Sequence, residues 1–206
     1  MTQYHFCYKI NKLILWLRLI SFLALSQNLL HAQNREIHSQ NALKESQNIQ
    51  KSGMIVLGSW ATLNIFSGSI GFFNSSGNVK YFHQMNSAWN LVNLGIAGFG
   101  YRGATRLDLS VDYNSALKEL QSFERILFIN TVLDLAYVGT GAWLWKRGLN
   151  KSSDRQIGYG KSLVLQGGFL LVFDAALYLI HQKRTQSLLQ ISENLQFNGT
   201  SLVISF

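Results

Sequence analysis

The sequence predicts an all-α protein, a membrane-spanning four-helix bundle built from two antiparallel helical hairpins. Four apolar segments cover 53–73, 82–101, 124–145 and 161–181. At 1.5 Å per residue, a helix of about 20 residues reaches about 30 Å, the hydrocarbon thickness of a bilayer. The 206 residues include no proline, the residue that would interrupt long helices. A soluble bundle with buried helices is the alternative, because the second and fourth segments are only moderately apolar.

Residues 1–32 are typical of a signal peptide for export. Two lysines precede an apolar run over 13–25, and Ala32 ends the stretch with a small residue. An arginine interrupts the apolar run, so an uncleaved anchor is the alternative. The only cysteine, Cys7, lies in this segment, and the mature chain would therefore contain neither a disulfide nor a reactive thiol.

The rest of the chain divides into three parts. We expect an exported polar segment over 33–52 that leads into the first span, a four-span bundle over 53–187 and an outward-facing tail over 188–206. In the tail, Asn198-Gly199 between apolar runs is typical of a two-residue hairpin turn. A short amphipathic helix over 187–195 is the alternative.

Loop charges predict the orientation. The loop 146–161 carries five basic residues against one acid, which by the positive-inside tendency makes it cytoplasmic. Both mature termini then face the periplasm of a multi-pass protein, and helical spans favour the bacterial inner (cytoplasmic) membrane. The opposite loop, 102–123, also has basic residues nearby, diluted by three acids. In it, Asn114 or Ser115 is expected to cap a helix that runs into the third span.

Polar and small residues share one face of the second span. Helical spacing places them on a single stripe, formed by Asn86, Asn90, Asn93, Ala97 and Gly100. The first span has a matching stripe of Gly58, Ala61, Asn64, Gly68 and Gly71. Small residues allow membrane helices to approach closely, and amides form hydrogen bonds between them. We therefore interpret the asparagines chiefly as packing residues.

Two aspartates indicate a functional site more strongly. Asp134 lies near the middle of the third span and Asp174 in the fourth, and the spans carry lysine or arginine only at their ends. A central aspartate costs about 2.5–3.5 kcal/mol on insertion scales, whereas interhelical hydrogen bonds in membranes average about 0.6 kcal/mol. The carboxyls are thus expected to be protonated, to bind a cation or to line a wet cavity. The candidate intramembrane polar site comprises Asp134, Asp174, Asn64, Asn86, Asn90, Asn93, Asn130 and Gln166.

Two histidines are candidate ends of a proton relay through this site. In the predicted orientation His83 lies at the cytoplasmic end and His181 at the outer end, and histidine can exchange protons near neutral pH. Alternatively, both histidines are simply interfacial.

No catalytic residue, cofactor-binding site or metal site is expected. The sequence GFGYRG at 98–103 matches a dinucleotide-binding pattern, but a helix precedes it where that site needs a strand. Basic residues are scattered over a chain of net charge +8, which disfavours nucleic acid as a partner.

The main expectation is a structural or accessory membrane protein that binds a protein partner through 188–206. A proton or cation conduit or a small-solute carrier is the alternative, and an enzyme acting on lipid or quinone is a third, less favoured class. The expected partners also include the lipid bilayer and a second copy of the chain in a homo-oligomer.

Two stretches carry a family resemblance. GSWATLNIFSG (58–68) and YFHQMNSAWNLVNLGIAGFGY (81–101) resemble an uncharacterised family of small four-helix integral membrane proteins, a domain of unknown function, from Gram-negative bacteria. The resemblance covers roughly 40–205. It implies a membrane helical bundle, and it brings no known activity and no functional residues.

Overall fold

Four long helices make up the part of the chain that the structure describes. The computed structural model describes the backbone of residues 2–200 and the side chains of residues 14–190, and in that part of the chain it contains no strand. The helices are α1 (Thr2–Asn74), α2 (Gly77–Thr105), α3 (Tyr113–Asn150) and α4 (Asp154–Thr200). The all-α prediction is confirmed for these residues. The packing pairs α1 with α2 and α3 with α4, and α4 also contacts α1 and α2.

The turns within the two hairpins are short. Between α1 and α2 only Ser75 and Ser76 intervene, and α2 begins at Gly77 with φ +57°, a left-handed conformation that glycine adopts without steric cost. Ser152 takes a similar φ of 51° between α3 and α4. Connections this short force each pair of helices to be antiparallel neighbours.

α3 and α4 come unusually close because glycines line their contact. Gly141 and Gly148 of α3 are seven residues apart, as are Gly160 and Gly167 of α4. A Cβ atom built on Gly141 would lie 2.8 Å from the backbone nitrogen of Val164 on α4. Such a separation leaves no room for a side chain, so the glycines fix how α3 and α4 are aligned.

The C-terminal hairpin prediction is wrong over the part of the tail that the structure describes. α4 continues as a helix through Asn198-Gly199 to Thr200. Leu188, only 3% exposed, packs in one cluster with Leu43 of α1 and Leu120 of α3. A type I′ hairpin turn would need positive φ at both Asn198 and Gly199, whereas both residues are helical in the structure. Residues 201–206, the end of the expected partner-binding tail, lie outside the described residues.

The end of the molecule that holds the 106–112 loop, the outer end in the predicted orientation, has an apolar core. Its centre is the cluster of Leu43, Ala116, Leu120 and Leu188, against which side chains of the 107–113 segment pack. Polar side chains cover its surface, where Arg184 and Glu45 form an ion pair at 3.0 Å with both side chains about half exposed. This end has the ordinary polarity of a protein in water.

Over the rest of the bundle the polarity is reversed. Large apolar side chains are exposed, including Phe66 (70%), Phe73 (82%) and Phe99 (80%). The interior is instead rich in polar groups, among them Asn86, Asn90, Asn93, Asp134, Gln166 and Asp174. Three helices are long and apolar enough to cross a membrane, within Ile14–Asn74, Tyr113–Asn150 and Asp154–Gln190. The asparagine-bearing α2 is not among them.

The cap of α3 differs from the sequence prediction. Asp112, not Asn114 or Ser115, is the N-cap residue, and its Oδ1 accepts hydrogen bonds from the backbone nitrogens of Asn114 at 2.9 Å and Ser115 at 3.2 Å. Asp112 Oδ2 also accepts from the Ser115 hydroxyl at 2.8 Å. An aspartate at this position accepts hydrogen bonds from the free N–H groups at the start of the helix. Its negative charge also interacts favourably with the positive end of the helix dipole.

We expect Asp112→Ala to loosen the first turn of α3 without unfolding the bundle. The Ser115 hydroxyl and backbone N–H hold the pKa of Asp112 below its usual range. The cap therefore stabilises α3 at pH values above the carboxyl's unfolded pKa, and the stabilisation is lost as pH falls through the lower folded pKa. Amide hydrogen exchange should become faster at Asn114 and Ser115. Asp108→Ala is the control, because Asp108 accepts a hydrogen bond from Ser110 within the loop and does not cap α3. An equal increase in amide exchange in both variants would contradict the capping role.

Candidate functional site

An amide network joins α1, α2 and α4 in the bundle. Gln166 Nε2 on α4 donates to Asn86 Oδ1 and, at 3.5 Å, to Asn64 Oδ1, while Gln166 Oε1 accepts from Trp60 Nε1 at 2.9 Å. Asn86 Nδ2 donates to Asn64 Oδ1 at 2.9 Å. Gln166 is fully buried, and both polar atoms of its amide have partners, as buried amides require.

The network continues along α2 through the other two asparagines. Asn90 Nδ2 donates to the backbone oxygen of Asn86 at 2.8 Å, and Asn93 Nδ2 donates to Asn90 Oδ1 at 3.3 Å. The buried polar atoms that lack partners in the described part of the chain include none from these three asparagines. The stripe seen in the sequence therefore faces neighbouring helices, and its hydrogen bonds suit a packing role.

The two aspartates form a separate group between α3 and α4. Asp134 is 3% exposed and Asp174 is 7% exposed. Their carboxyls adjoin each other, and the Asn130 amide, one turn before Asp134, adjoins Asp174. Asp134 lies seven residues before Gly141, and Asp174 seven after Gly167. The glycine contact that draws α3 against α4 thus also brings the carboxyls together.

Asp134 Oδ2 is a buried acceptor with no hydrogen-bond partner. Leaving such an atom unsatisfied costs about 1–3 kcal/mol, and more for a charged group. A proton or a cation beside the two carboxyls would remove that cost. The site is therefore chemically suited to bind positive charge.

A cavity of about 470 Å³ adjoins the carboxyl pair. Its polar lining comprises Gln50, Asn93, Asn130, Asp134 and Asp174. The remaining lining is mostly apolar and includes four aromatic residues, Trp89, Phe123, Tyr137 and Phe173. This volume and this mixture of apolar walls with a few polar groups are typical of small-molecule sites.

The cavity opens sideways between α2 and α3. Within the described residues the backbones of α2 and α3 do not contact each other. The rings of Trp89 and Tyr137 meet across the gap, edge to face, with centroids 4.9 Å apart. Lining residues on both edges are half exposed, with Ile96 at 52% on α2 and Ile126 at 52% on α3. The mouth therefore faces the exposed apolar surface of the bundle.

His181 lies at the outer end of the site, fully buried between three helices. Its Nε2 is 2.5 Å from Ser46 Oγ on α1, and its Nδ1 is 3.5 Å from Glu124 Oε1 on α3. Ser46 Oγ also accepts from Gln50 Nε2 at 3.1 Å, and Gln50 lines the cavity. A chain of polar contacts thus leads from His181 to the cavity.

His83 lies in the first part of α2, beyond the other end of the amide network. Its ring packs beside Gly71 of α1, where an added Cβ would overlap it, and against Phe82 at 5.3 Å between centroids. His83 Nδ1 is buried without a partner. Among the described residues, no direct hydrogen bond joins His83 to Asn86, and the relay from His83 to the aspartates stays a prediction.

Sequence reasoning missed Ser46, Gln50 and Glu124. Ser46 is seven residues before Gly53 and seven after the fully buried Ser39, a helical spacing that places all three on one face. Assigning 33–52 to a polar lead-in removed that segment from the helical pattern. In the structure this segment is part of α1.

Comparison with known proteins gives a family without an assigned activity. No curated protein and no solved structure matches the chain significantly. Residues 56–175, more than half of the chain, match a family of unknown function, DUF6992. The matched range contains the amide network, both aspartates and most of the cavity lining. The chain belongs to the DUF6992 family of unknown function.

Proposed function

We propose that the protein is an integral membrane protein whose buried carboxyl pair, Asp134 and Asp174, binds a proton or a small cation. In this proposal all four helices cross the inner membrane of a Gram-negative bacterium. The 106–112 loop and both mature termini face the periplasm, and the turns after α1 and α3 face the cytoplasm. The observation that carries the binding function is the cavity beside Asp134, whose Oδ2 is buried and unpartnered.

The reversal of polarity along the bundle supports membrane insertion. Exposed phenylalanines surround polar interiors over the predicted spans, whereas the outer end buries leucines and exposes charges. Apolar surfaces of this extent mark contact with a membrane or a partner. The amide network also explains how α2 can cross a bilayer although it is less apolar than the other three helices. Its asparagines face neighbouring helices and not lipid.

The geometry of α1 favours removal of the signal segment. In a continuous helix Leu23 lies roughly 45 Å from Gly53 along the axis. Both apolar stretches, 14–30 and 53–73, therefore cannot share one bilayer while α1 remains straight. Large apolar side chains from Ile14 to Leu30 are exposed. Export with cleavage after Ala32 would remove this exposed surface.

The proposed cation site predicts a ligand-dependent stability that requires the aspartates. We expect the thermal stability of the detergent-purified protein to rise with protons or with one cation type. A ligand that binds only the folded form adds about 2.7 kcal/mol at a hundred times its Kd. The double variant Asp134→Asn, Asp174→Asn should lose this response.

The control carries the same change in charge outside the bundle core. Asp108→Asn, Asp154→Asn removes two exposed acids, and it should respond as the wild type does. If the wild type and both double variants gave the same curves against pH and against each cation, the carboxyl pair would not be a binding site.

A second candidate function, an accessory protein that binds a partner, is supported by the length of α4. α4 continues to Thr200, well past the last predicted span. A partner held there should co-purify with the full chain and be lost when residues 191–206 are removed. That deletion spares Leu188, which belongs to the apolar cluster. Retention of every co-purifying protein would count against partner binding by the tail.

A further inference from the structure

We propose that the cavity between α2 and α3 binds a lipophilic ammonium ion, which enters sideways from the bilayer with its positive charge beside Asp134 and Asp174. The inference rests on the proposed cation site and names the class of ligand.

The size of the cavity exceeds what a bare ion requires. A volume of about 470 Å³ falls in the range of pockets that hold small organic molecules. Most of its wall is apolar, and the two carboxyls are among only five polar lining residues. A ligand that fills this space therefore needs an apolar body and one polar end.

The chemistry of the polar end selects a positive charge. The lining contains two carboxyls and no lysine, arginine or histidine. Asp134 is 3% exposed, and its Oδ2 has no partner in the described part of the chain. One ammonium group beside two carboxyls that share a proton would leave the site neutral. An N–H donor would also satisfy the free oxygen.

The aromatic walls suit the same ligand. Four aromatic residues line the cavity, Trp89, Phe123, Tyr137 and Phe173. The faces of aromatic rings attract organic cations, by about 2 kcal/mol or more where water is excluded. Carboxyls combined with aromatic rings therefore recognise an ammonium ion better than a neutral or anionic lipid.

The position of the mouth indicates the route of entry. Val92 and Ile96 of α2 and Ile126 and Leu133 of α3 line the cavity and are each 45–61% exposed on the apolar side of the bundle. A ligand dissolved in the bilayer would meet this opening directly. A phospholipid amine would bring a phosphate toward the carboxyls, so a free lipophilic amine is the favoured source.

The test measures binding of octylamine to the full chain purified in a detergent with an uncharged head group. Octan-1-ol is the control for the apolar chain and ethylamine for the charge. We expect one octylamine per protein, bound at least tenfold more tightly than either control. Asp134→Asn, Asp174→Asn should remove that preference, and octan-1-ol binding reports whether the variant keeps its cavity.

Ile96→Trp, which narrows the mouth, should weaken octylamine binding while it preserves the response to protons or inorganic cations.

The outcomes separate this inference from the proposed function. If ethylamine or an inorganic cation bound as tightly as octylamine, the cation site would stand and the lipophilic ligand would be wrong. If octylamine and octan-1-ol bound equally to the wild type and to the double variant, the carboxyls would play no part in recognising the ammonium group and this inference would fail. The proposed function would fail as well only if the double variant kept the stability response of the wild type to protons and cations. Displacement of octylamine by phosphatidylethanolamine in mixed micelles would overturn the free amine as the ligand.

Discussion

Gly141→Leu should destabilise the protein by about 3 kcal/mol or more, because it forces α3 away from α4. A Cβ at this position would lie 2.8 Å from Leu163 Cβ and from the Val164 backbone nitrogen, and 2.9 Å from the Gly160 oxygen. Two of these three atoms belong to the backbone of a helix and cannot rotate away. The measurement is the free energy of unfolding of the protein in detergent.

Gly139→Leu is the matched control. Gly139 is two residues away on the same helix, and an added Cβ there meets no atom within 4 Å. Leucine is favoured over glycine in a helix by nearly 1 kcal/mol, so the control should be neutral or slightly more stable. Equal losses in the two variants would show that α3 and α4 are not in close contact, and the pairing of Asp134 with Asp174 would then have no structural basis.

Gln166→Leu should cost roughly 2–3 kcal/mol, because three side-chain hydrogen bonds of the amide network are lost at once. Each bond contributes about 1 kcal/mol, and the membrane average of about 0.6 kcal/mol gives the lower bound. The substitution also leaves Trp60 Nε1 without its acceptor and deprives Asn86 Oδ1 of its donor. Leucine has a similar volume, so the cavity contribution is small.

Gln186→Leu, on the exposed surface of α4, serves as the control and should change stability little. A double-mutant cycle with Asn86→Leu tests the network itself. The losses of stability in Gln166→Leu and Asn86→Leu should be less than additive, because both substitutions remove the hydrogen bond between Gln166 Nε2 and Asn86 Oδ1. Fully additive losses would contradict a shared network.

Much of the packing was predictable from helical spacing alone. The α2 stripe faces its neighbours as expected: Asn86, Asn90 and Asn93 are at most 3% exposed. The close approach of α1 and α2 through small residues was also predictable, since Gly58 lies against Ala97. Helical periodicity alone identifies such a face, because the face depends only on the spacing of residues along one helix.

The pairing of Asp134 with Asp174 could not be predicted in the same way. Spacing gave the face of each aspartate but not their relative height, which depends on how α3 and α4 are aligned. Contacts such as that of Gly141 with the backbone of α4 determine this alignment. The glycines are visible in the sequence, but their spacing does not show which residues of α3 lie against which residues of α4.

The outer end was the least predictable part. Residues 33–52 contain no sustained apolar run, and their role as a packed section of α1 depends on partners far along the chain. Leu43 packs with Leu120 and Leu188, and Ser46 contacts His181. The local turn tendency of Asn198-Gly199 is also not realised, since α4 remains helical through both residues.

The most direct test of membrane insertion is cysteine labelling from one side of the membrane. The only natural cysteine is Cys7, so Cys7→Ser provides a cysteine-free background. Single cysteines replace Ser76 between α1 and α2, Ser110 between α2 and α3, and Ser152 between α3 and α4. All three positions are exposed, and a membrane-impermeant maleimide is applied to spheroplasts.

We expect Ser110→Cys to be labelled in intact spheroplasts, whereas Ser76→Cys and Ser152→Cys should be labelled only after the membrane is permeabilised. This pattern requires α2, the least apolar helix, to cross the bilayer together with the other three. Labelling of Ser76→Cys and Ser110→Cys from the same side would show that α2 does not cross. Recovery of the protein in the soluble fraction, with all three positions labelled alike, would contradict membrane insertion altogether.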